Sequence, residues 1–297
     1  MDEAQAPGGA QWAAVAAHLR RAARSAEAPW LHGEVAARMA ARLAMIRAQP
    51  QRVLEWWPAL GQGAVLHERC RGARFERYED DAELAARSSA AARWWSPQRW
   101  RPQPARHPGR PPDEGAADLV WANMMLHWDA EPLTTMRRWH AALATGGFVM
   151  FSCFGPDTLR ELRVLYRRLG WGAPAHDYID MHDLGDAMLR AGFAEPVMDM
   201  ERLTLTWADA DALLAELRTL GGNAAAGRRA GLRTPRWRDA LCREIAALAG
   251  PDGRPALSFE IVYGHAFKPA PRVAMPARET TVSVEALRRT ARDRRRS

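Results

Sequence analysis

Lysine is almost absent from this sequence, and the positive charge rests on arginine. Lys268 is the one lysine among 42 basic residues, and the formal net charge is +7. Part of the excess lies near the end of the chain, where six arginines fall between positions 288 and 296. Nucleic-acid binding would rest on this charge alone, so we do not predict it; a steep salt dependence would be its signature. A basic surface also suits an acidic protein partner.

Cysteines are scarce, and long apolar runs are missing. Cys70, Cys153 and Cys242 are widely spaced and form no C-x-x-C pair, which argues against a disulfide framework or a cysteine-based zinc site. No run approaches the roughly 20 apolar residues that span a bilayer. The first residues lack the basic start and apolar centre of a secretory signal. We therefore predict a cytoplasmic protein with no metal site and no membrane contact.

Composition divides the chain into three parts. Residues 1–28 are rich in alanine and arginine and are predicted to be helical or flexible. Residues 29–268 are predicted to form the folded domain, and residues 269–297 a basic, disordered tail. Within the domain, residues 94–115 contain six prolines and many arginines, which predicts a long surface loop.

Helical and strand-like segments alternate along the domain. Apolar residues at helical spacing predict a helix from residue 30 to Pro50, and short apolar runs predict strands at 51–54, 117–122 and 148–152. This alternation predicts an α/β fold with a mostly parallel sheet, closed by an antiparallel edge after residue 197. The remaining predicted elements are a helix through Trp139 and Leu143, helices at 82–93, 156–169, 183–191 and 209–220, and strands at 197–207 and 258–267.

In an open α/β sheet, ligands bind beyond the carboxyl ends of the strands. Gly61 and Gly63 follow the first predicted strand, where glycine would let the backbone approach a nucleotide-like ligand. A turn between strand and helix explains these two glycines equally well. The loop alone therefore gives only a weak signal of cofactor binding.

Several segments carry a resemblance to a known family. The segments DLVWAN (118–123), FGPDTLREL (154–162) and IDMHDLGD (179–186), with YGHA (263–266) near the end, resemble the malonyl-acyl-carrier-protein O-methyltransferase of biotin synthesis. That enzyme is a class I S-adenosylmethionine-dependent methyltransferase. The resemblance implies a seven-stranded, mostly parallel, Rossmann-like sheet with helices on both faces. It also implies methyl transfer from S-adenosylmethionine to the free carboxyl of a malonyl thioester on an acyl carrier protein.

The resemblance implies a set of site residues. The cofactor contacts would be Glu55, Gly61 and Asn123, and the substrate contacts would be His127, Trp128, Asp157 and His182. Glu76 is a further candidate cofactor contact, because it lies 21 positions after Glu55, near the roughly 20-residue spacing expected in nucleotide-binding folds. No catalytic acid or base is implied, because a carboxylate is already a nucleophile and alignment with the sulfonium supplies most of the rate.

The cofactor motifs depart from the family pattern. In the acidic-x-Gly-x-Gly-x-Gly motif, Glu55 matches the acid and Gly61 the last glycine, but Trp57 and Ala59 replace the first two glycines. Tyr78 falls at the position of the second-strand acid, between Glu76 and Glu79. The acid near the adenine has no counterpart in the Pro/Arg-rich loop. The alternative to an active enzyme is therefore a pseudoenzyme that acts as a protein-binding or assembly factor.

Other interpretations of the same residues stay open. A mitochondrial relative with a similar C-terminal half assists assembly of respiratory complex I and hydroxylates an arginine, although no iron-ligand pattern stands out here. Trp128 could be a core residue and His127 a helix-end residue. Asp183 could be the N-cap of a helix, with Asp186 in a capping box, rather than part of a binding cluster with His182.

Overall fold

The computed structural model describes residues 12–25, 28–80, 82–89, 105–110, 112–229, 231 and 233–271. Ten α-helices and a 3-10 turn at Leu126–Trp128 lie within these ranges. The helices are α1 (Trp12–Arg24), α2 (Trp30–Leu43), α3 (Pro58–Gly61), α4 (Ala64–Arg69), α5 (Ala82–Ser89), α6 (Pro132–Ala142), α7 (Arg160–Leu169), α8 (Met181–Ala191), α9 (Ala210–Thr219) and α10 (Pro235–Ala246).

One sheet runs through the described chain, with strands in the order β3-β2-β1-β4-β5-β7-β6. Strand β7 is antiparallel to β5 and β6, and the other pairs are parallel. The predicted α/β, Rossmann-like class is confirmed. The strands are β1 (Arg52–Trp56), β2 (Arg74–Glu79), β3 (Ala105–Pro108), β4 (Ala117–Ala122), β5 (Leu143–Phe154), β6 (Ala194–Thr206) and β7 (Ala256–Phe267).

Two hydrophobic cores cover the two faces of the sheet, because side chains alternate along each strand. In β4, Val120 belongs to the core that contains residues of α1, α6 and α8. Its neighbours Leu119 and Trp121 belong to the core that contains residues of α2, α7, α9 and α10. All three side chains are at most 2% exposed. The parallel strands are thus buried on both sides, which explains their continuous apolar runs.

Several elements differ from the sequence predictions. Strand β3 lies inside the segment 94–115 that was predicted to be a loop, and it pairs with β2. Strand β2 is polar, yet backbone hydrogen bonds to β1 on one side and β3 on the other hold it in the sheet. Helices α3, α4 and α10 had no predicted counterpart. The tail predicted at 269–297 lies outside the described residues beyond position 271, as do residues 90–104 and 1–11.

Within the described ranges, no helix is long and apolar enough to cross a membrane. Across the same ranges, no three His, Cys, Asp or Glu side chains lie together in a way that could hold a metal ion.

Candidate active site

The carboxyl ends of β1, β2 and β4 meet at one edge of the sheet, because these strands are parallel neighbours. The loop after β1 begins at Trp57, β2 ends at Glu79, and Asn123 directly follows β4. We call this region the cofactor edge. In folds of this kind, a nucleotide-like ligand binds at such an edge.

Trp57 takes a backbone conformation that glycine adopts easily. Its φ of 54° and ψ of 52° lie in the left-handed region, and its N–H donates to the Tyr78 carbonyl at 2.9 Å. The indole is 4% exposed, and its Nε1 donates to Asp80 Oδ2 at 3.1 Å. The loop therefore keeps a glycine-like backbone while the Trp57 side chain packs toward the end of β2.

Glu79 is the acidic residue at the carboxyl end of β2. Its side chain is 2% exposed, and Oε1 accepts a hydrogen bond from the Ala59 N–H at 2.7 Å. Its other oxygen, Oε2, is buried and has no hydrogen-bond partner among the described residues. Burial raises the pKa of Glu79 to about 8, with the nearby charges of Asp80 and Glu55 adding to this effect. Glu79 thus presents an unpaired oxygen at the cofactor edge.

Glu76, the predicted cofactor contact in this strand, lies elsewhere. It pairs with Leu54 in the middle of the β1–β2 ladder, and its carboxylate lies 3.3 Å from the Arg74 guanidinium. It stands three residues before the strand end, so its backbone position is away from the cofactor edge. We therefore replace Glu76 by Glu79 as the candidate acid. The spacing of 21 positions after Glu55 favoured Glu76 in the sequence, where the end of β2 is not marked by an apolar run.

Glu55 is buried and paired with basic groups. Its Oε2 accepts hydrogen bonds from His67 Nε2 at 2.9 Å and from Arg77 Nε at 3.1 Å. Gly63 leaves room for this carboxylate, since a Cβ there would lie 2.0 Å from Glu55 Oε1. The carboxylate of Glu55 therefore connects β1 to α4 and β2, which differs from the predicted direct cofactor contact.

The Asn123 side chain holds the same loop in place by hydrogen bonds. Its Nδ2 donates to the carbonyls of His32 and Gly61, each at 2.8 Å, and its Oδ1 accepts a hydrogen bond from Ser152 Oγ at 2.7 Å. Both amide donors are used inside the protein. Asn123 and Gly61 thus lie together at the cofactor edge, where the Asn123 side chain orients the loop backbone.

His127 and Trp128 lie in the 3-10 turn after β4, and both are buried. His127 Nε2 and Trp128 Nε1 have no hydrogen-bond partners among the described residues. His176 Nε2 donates to the His127 carbonyl at 2.8 Å. Burial lowers the pKa of His127 well below its usual value, and neighbouring histidines, with His176 first among them, lower it further. The His127 imidazole is therefore neutral at physiological pH.

Two clefts flank this turn. The first, which we call the N-terminal cleft, has a volume of about 470 Å³ and lies between α1 and the loop after β1. The second, the aromatic cleft, has a volume of about 420 Å³. The N-terminal cleft is lined by His18, Arg21, Ala22, Leu60 and Arg218, and the aromatic cleft by Trp128, Phe154, Tyr166, Tyr178, Arg218 and Trp237.

Asp157 and His182, the other predicted substrate contacts, line neither cleft. Asp157 is exposed and forms an ion pair with Arg202. His182 is exposed in the first turn of α8, and its backbone N–H donates to Asp180 Oδ1 at 2.8 Å. The structure does not bring these two residues to Trp128. The predicted N-cap, Asp183, is also wrong. Helix α8 begins at Met181, and its N-cap is Asp180.

Comparison with known proteins identifies the family. A family profile described as "Methyltransferase domain" matches residues 30–195. A malonyl-[acyl-carrier protein] O-methyltransferase from Laribacter hongkongensis is 39% identical over 266 residues, covering 85% of this chain and 88% of the relative. The protein of the same name from Gallionella capsiferriformans is 37% identical over 249 residues, covering 82% of this chain and 86% of the relative.

Solved structures show the same fold. A putative methyltransferase from Bacillus halodurans superposes with a TM-score of 0.53 at 14% identity, covering 79% of this chain and 99% of that one. The YcgJ protein from Bacillus subtilis gives the same TM-score at 9% identity, covering 79% of this chain and 98% of that one. The methyltransferase domain confirms S-adenosylmethionine as the predicted cofactor. The chain therefore belongs to the methyltransferase family, among relatives named malonyl-[acyl-carrier protein] O-methyltransferase.

Proposed function

We propose that this protein transfers the methyl group of S-adenosylmethionine to the free carboxyl of a malonyl thioester on an acyl carrier protein. The proposal follows the names of its relatives. The observation that carries it is the position of the aromatic cleft, whose lining includes Trp128 in the turn that follows β4, a strand that forms part of the cofactor edge. A thioester chain lying in this apolar cleft would bring its acyl end toward the cofactor.

The cofactor edge fits the chemistry of S-adenosylmethionine. The unpaired Oε2 of Glu79 can form a hydrogen bond with a ribose hydroxyl, and the hydrogen bonds of Asn123 hold the loop that would face the amino-acid portion. When bound, the cofactor supplies a methyl group on a sulfonium, which is a strong electrophile. Trp57 departs from the family pattern, because it places a side chain at a position where the family has glycine.

Methyl transfer to a carboxylate requires little of the protein beyond alignment. The carboxylate oxygen forms a bond to the methyl carbon as the bond from that carbon to sulfur breaks, so no proton moves. This step needs no general base, so no proton-transfer role is assigned to His127. The residues of the clefts then act by orienting the carboxylate and excluding water.

The charge of the chain suits the proposed partner. Acyl carrier proteins are acidic, and the net charge of +7 favours their approach. Three described arginines line the aromatic cleft and would place positive charge beside the thioester arm of a carrier: Arg218, Arg233 and Arg238.

Calorimetric titration with S-adenosylmethionine and S-adenosylhomocysteine tests the cofactor part of the proposal. We expect dissociation constants in the micromolar range, which is the tight-binding end of the values that are ordinary for enzymes and their substrates. The matched variant is Glu79→Ala, which removes the acid at the end of β2 and should weaken both ligands about tenfold or more, as expected for a hydrogen bond to a charged or buried carboxyl. Absence of heat at millimolar ligand would contradict the proposal.

A second candidate function is non-catalytic binding of a protein partner. The Trp57 indole belongs to the same buried cluster as Val15 and Leu19 of α1, and Glu79 is almost completely covered. This arrangement favours a cofactor edge closed by the protein's own side chains. In that case the wild type would bind no cofactor, whereas Trp57→Gly would gain binding in the same titration. Binding by the wild type would rule out this second function.

A further inference from the structure

Arg218 lies where the two clefts meet. It is one of two residues, with Gly222, that line both the N-terminal cleft and the aromatic cleft. It stands in the last turn of α9 and is exposed. Arg218 therefore borders both clefts.

The turn that follows Arg218 is fixed against Trp128. Gly221 has a φ of 121°, and a Cβ at this position would lie 2.2 Å from Trp128 Cζ2 and 3.3 Å from His18 Nε2. Only glycine permits this close approach. The end of α9, with Arg218 in its last turn, is thereby held next to Trp128, which lines the aromatic cleft.

The guanidinium of Arg218 is free to bind an anion. Among the described residues, its side chain forms no hydrogen bond or ion pair, whereas Arg238 pairs with Asp211 and Arg233 donates to the Trp171 carbonyl at 3.1 Å. No described acidic residue lines either cleft. The positive charge at this junction is therefore unbalanced, and a planar guanidinium matches a carboxylate in two parallel hydrogen bonds.

We propose that Arg218 binds the free carboxylate of the acyl thioester and so selects malonyl over acetyl substrates. This inference rests on the proposed function and assigns a residue to its specificity. S-adenosylmethionine also carries a carboxylate, and Arg21 lines the N-terminal cleft together with Arg218. The experiment must therefore distinguish the carboxylate of the substrate from that of the cofactor.

The test compares the full-length wild type with Arg218→Gln and Arg218→Lys. Arg190→Gln is the matched control, because Arg190 is exposed in the last turn of α8 and lines neither cleft. Binding of malonyl-pantetheine, acetyl-pantetheine and S-adenosylmethionine is measured for each protein. Arg218→Gln should weaken malonyl-pantetheine binding about tenfold or more and leave the other two ligands unchanged. Arg218→Lys should keep part of the malonyl preference, since it retains the charge.

Three results would overturn the inference. A wild type with no preference for malonyl over acetyl would do so, as would an equal loss of both thioesters in Arg218→Gln. Weaker S-adenosylmethionine binding with unchanged malonyl binding would assign Arg218 to the cofactor instead. Methyl transfer measured on the same samples separates the two proposals. Selective binding that depends on Arg218 without any transfer would contradict only the catalytic function.

Discussion

Burial of Glu79 couples the charge at the cofactor edge to the stability of the fold. Its pKa rises from the ordinary 4.5 to about 8 because the protein shields it from water. The folded state therefore holds a proton that the unfolded state releases between these two values. The contribution of Glu79 to the free energy of unfolding is therefore greatest below pH 4.5. It falls as the pH rises from 4.5 toward 8, and it stays low above pH 8.

Glu79→Gln should remove this part of the pH dependence. We expect the variant to be more stable than the wild type at pH 9, by an amount on the order of a few kcal/mol, and to differ less at pH 5. Denaturant unfolding at a series of pH values measures the difference. Glu76→Gln is the control for replacing a carboxyl by an amide in the same strand. Equal pH profiles for wild type and Glu79→Gln would show that Glu79 is ionised in the fold.

At the level of residues, the sequence located the cofactor edge better than it located individual contacts. The resemblance named Gly61 and Asn123 as cofactor contacts, and the structure joins them by a hydrogen bond. It could not show that both Asn123 donors are satisfied by backbone carbonyls. Glu76 was preferred to Glu79 because the end of β2 depends on pairing with strands distant in sequence. Arg218 carried no motif, since its place depends on how α9 packs against Trp128.

The end of α9 is the element on which the arrangement of the two clefts depends. Gly221 and Gly222 both have positive φ values in the turn after this helix. A Cβ at Gly221 would overlap the Trp128 ring, whereas a Cβ at Gly222 would meet no atom within 4 Å. A substitution at Gly222 therefore tests backbone strain alone, whereas a substitution at Gly221 also tests steric overlap with Trp128.

Gly221→Ala should be more harmful than Gly222→Ala. We expect Gly222→Ala to lower the free energy of unfolding by about 1 kcal/mol, through backbone strain alone. Gly221→Ala should cost about 2 to 4 kcal/mol, because it adds the overlap with Trp128. Thermal unfolding, followed by Trp fluorescence, measures both. Equal costs for the two variants would mean that the turn does not pack on Trp128.

Strands with a continuous apolar run or an alternating pattern were predicted well, and the polar strands β2 and β3 were not. Strands β4 and β5 lie in the middle of the sheet, so burial on both faces produced runs that could be recognised from sequence. Strands β2 and β3 lie near its edge, where hydrogen bonding to a neighbour, rather than apolar composition, maintains them. Proline and arginine in the segment around β3 concealed it further.

On the scale of the whole molecule, the fold places two clefts on either side of the turn after β4. One cleft adjoins the loop that faces a cofactor, and the other is lined by aromatic side chains. Family membership explains the sheet, the helices on both faces and the cofactor edge. Trp57 is the feature that family membership does not explain, because the residue occupies a glycine-like backbone position with a buried indole.

The most direct test of the account is methyl transfer itself. Purified protein is incubated with S-adenosylmethionine labelled in its methyl group and with malonyl-acyl carrier protein, and acetyl-acyl carrier protein serves as the matched control. The account predicts that label enters the malonyl form alone, as an ester that base hydrolyses to release methanol. No label in the malonyl form at saturating cofactor, or equal label in both carriers, would contradict it.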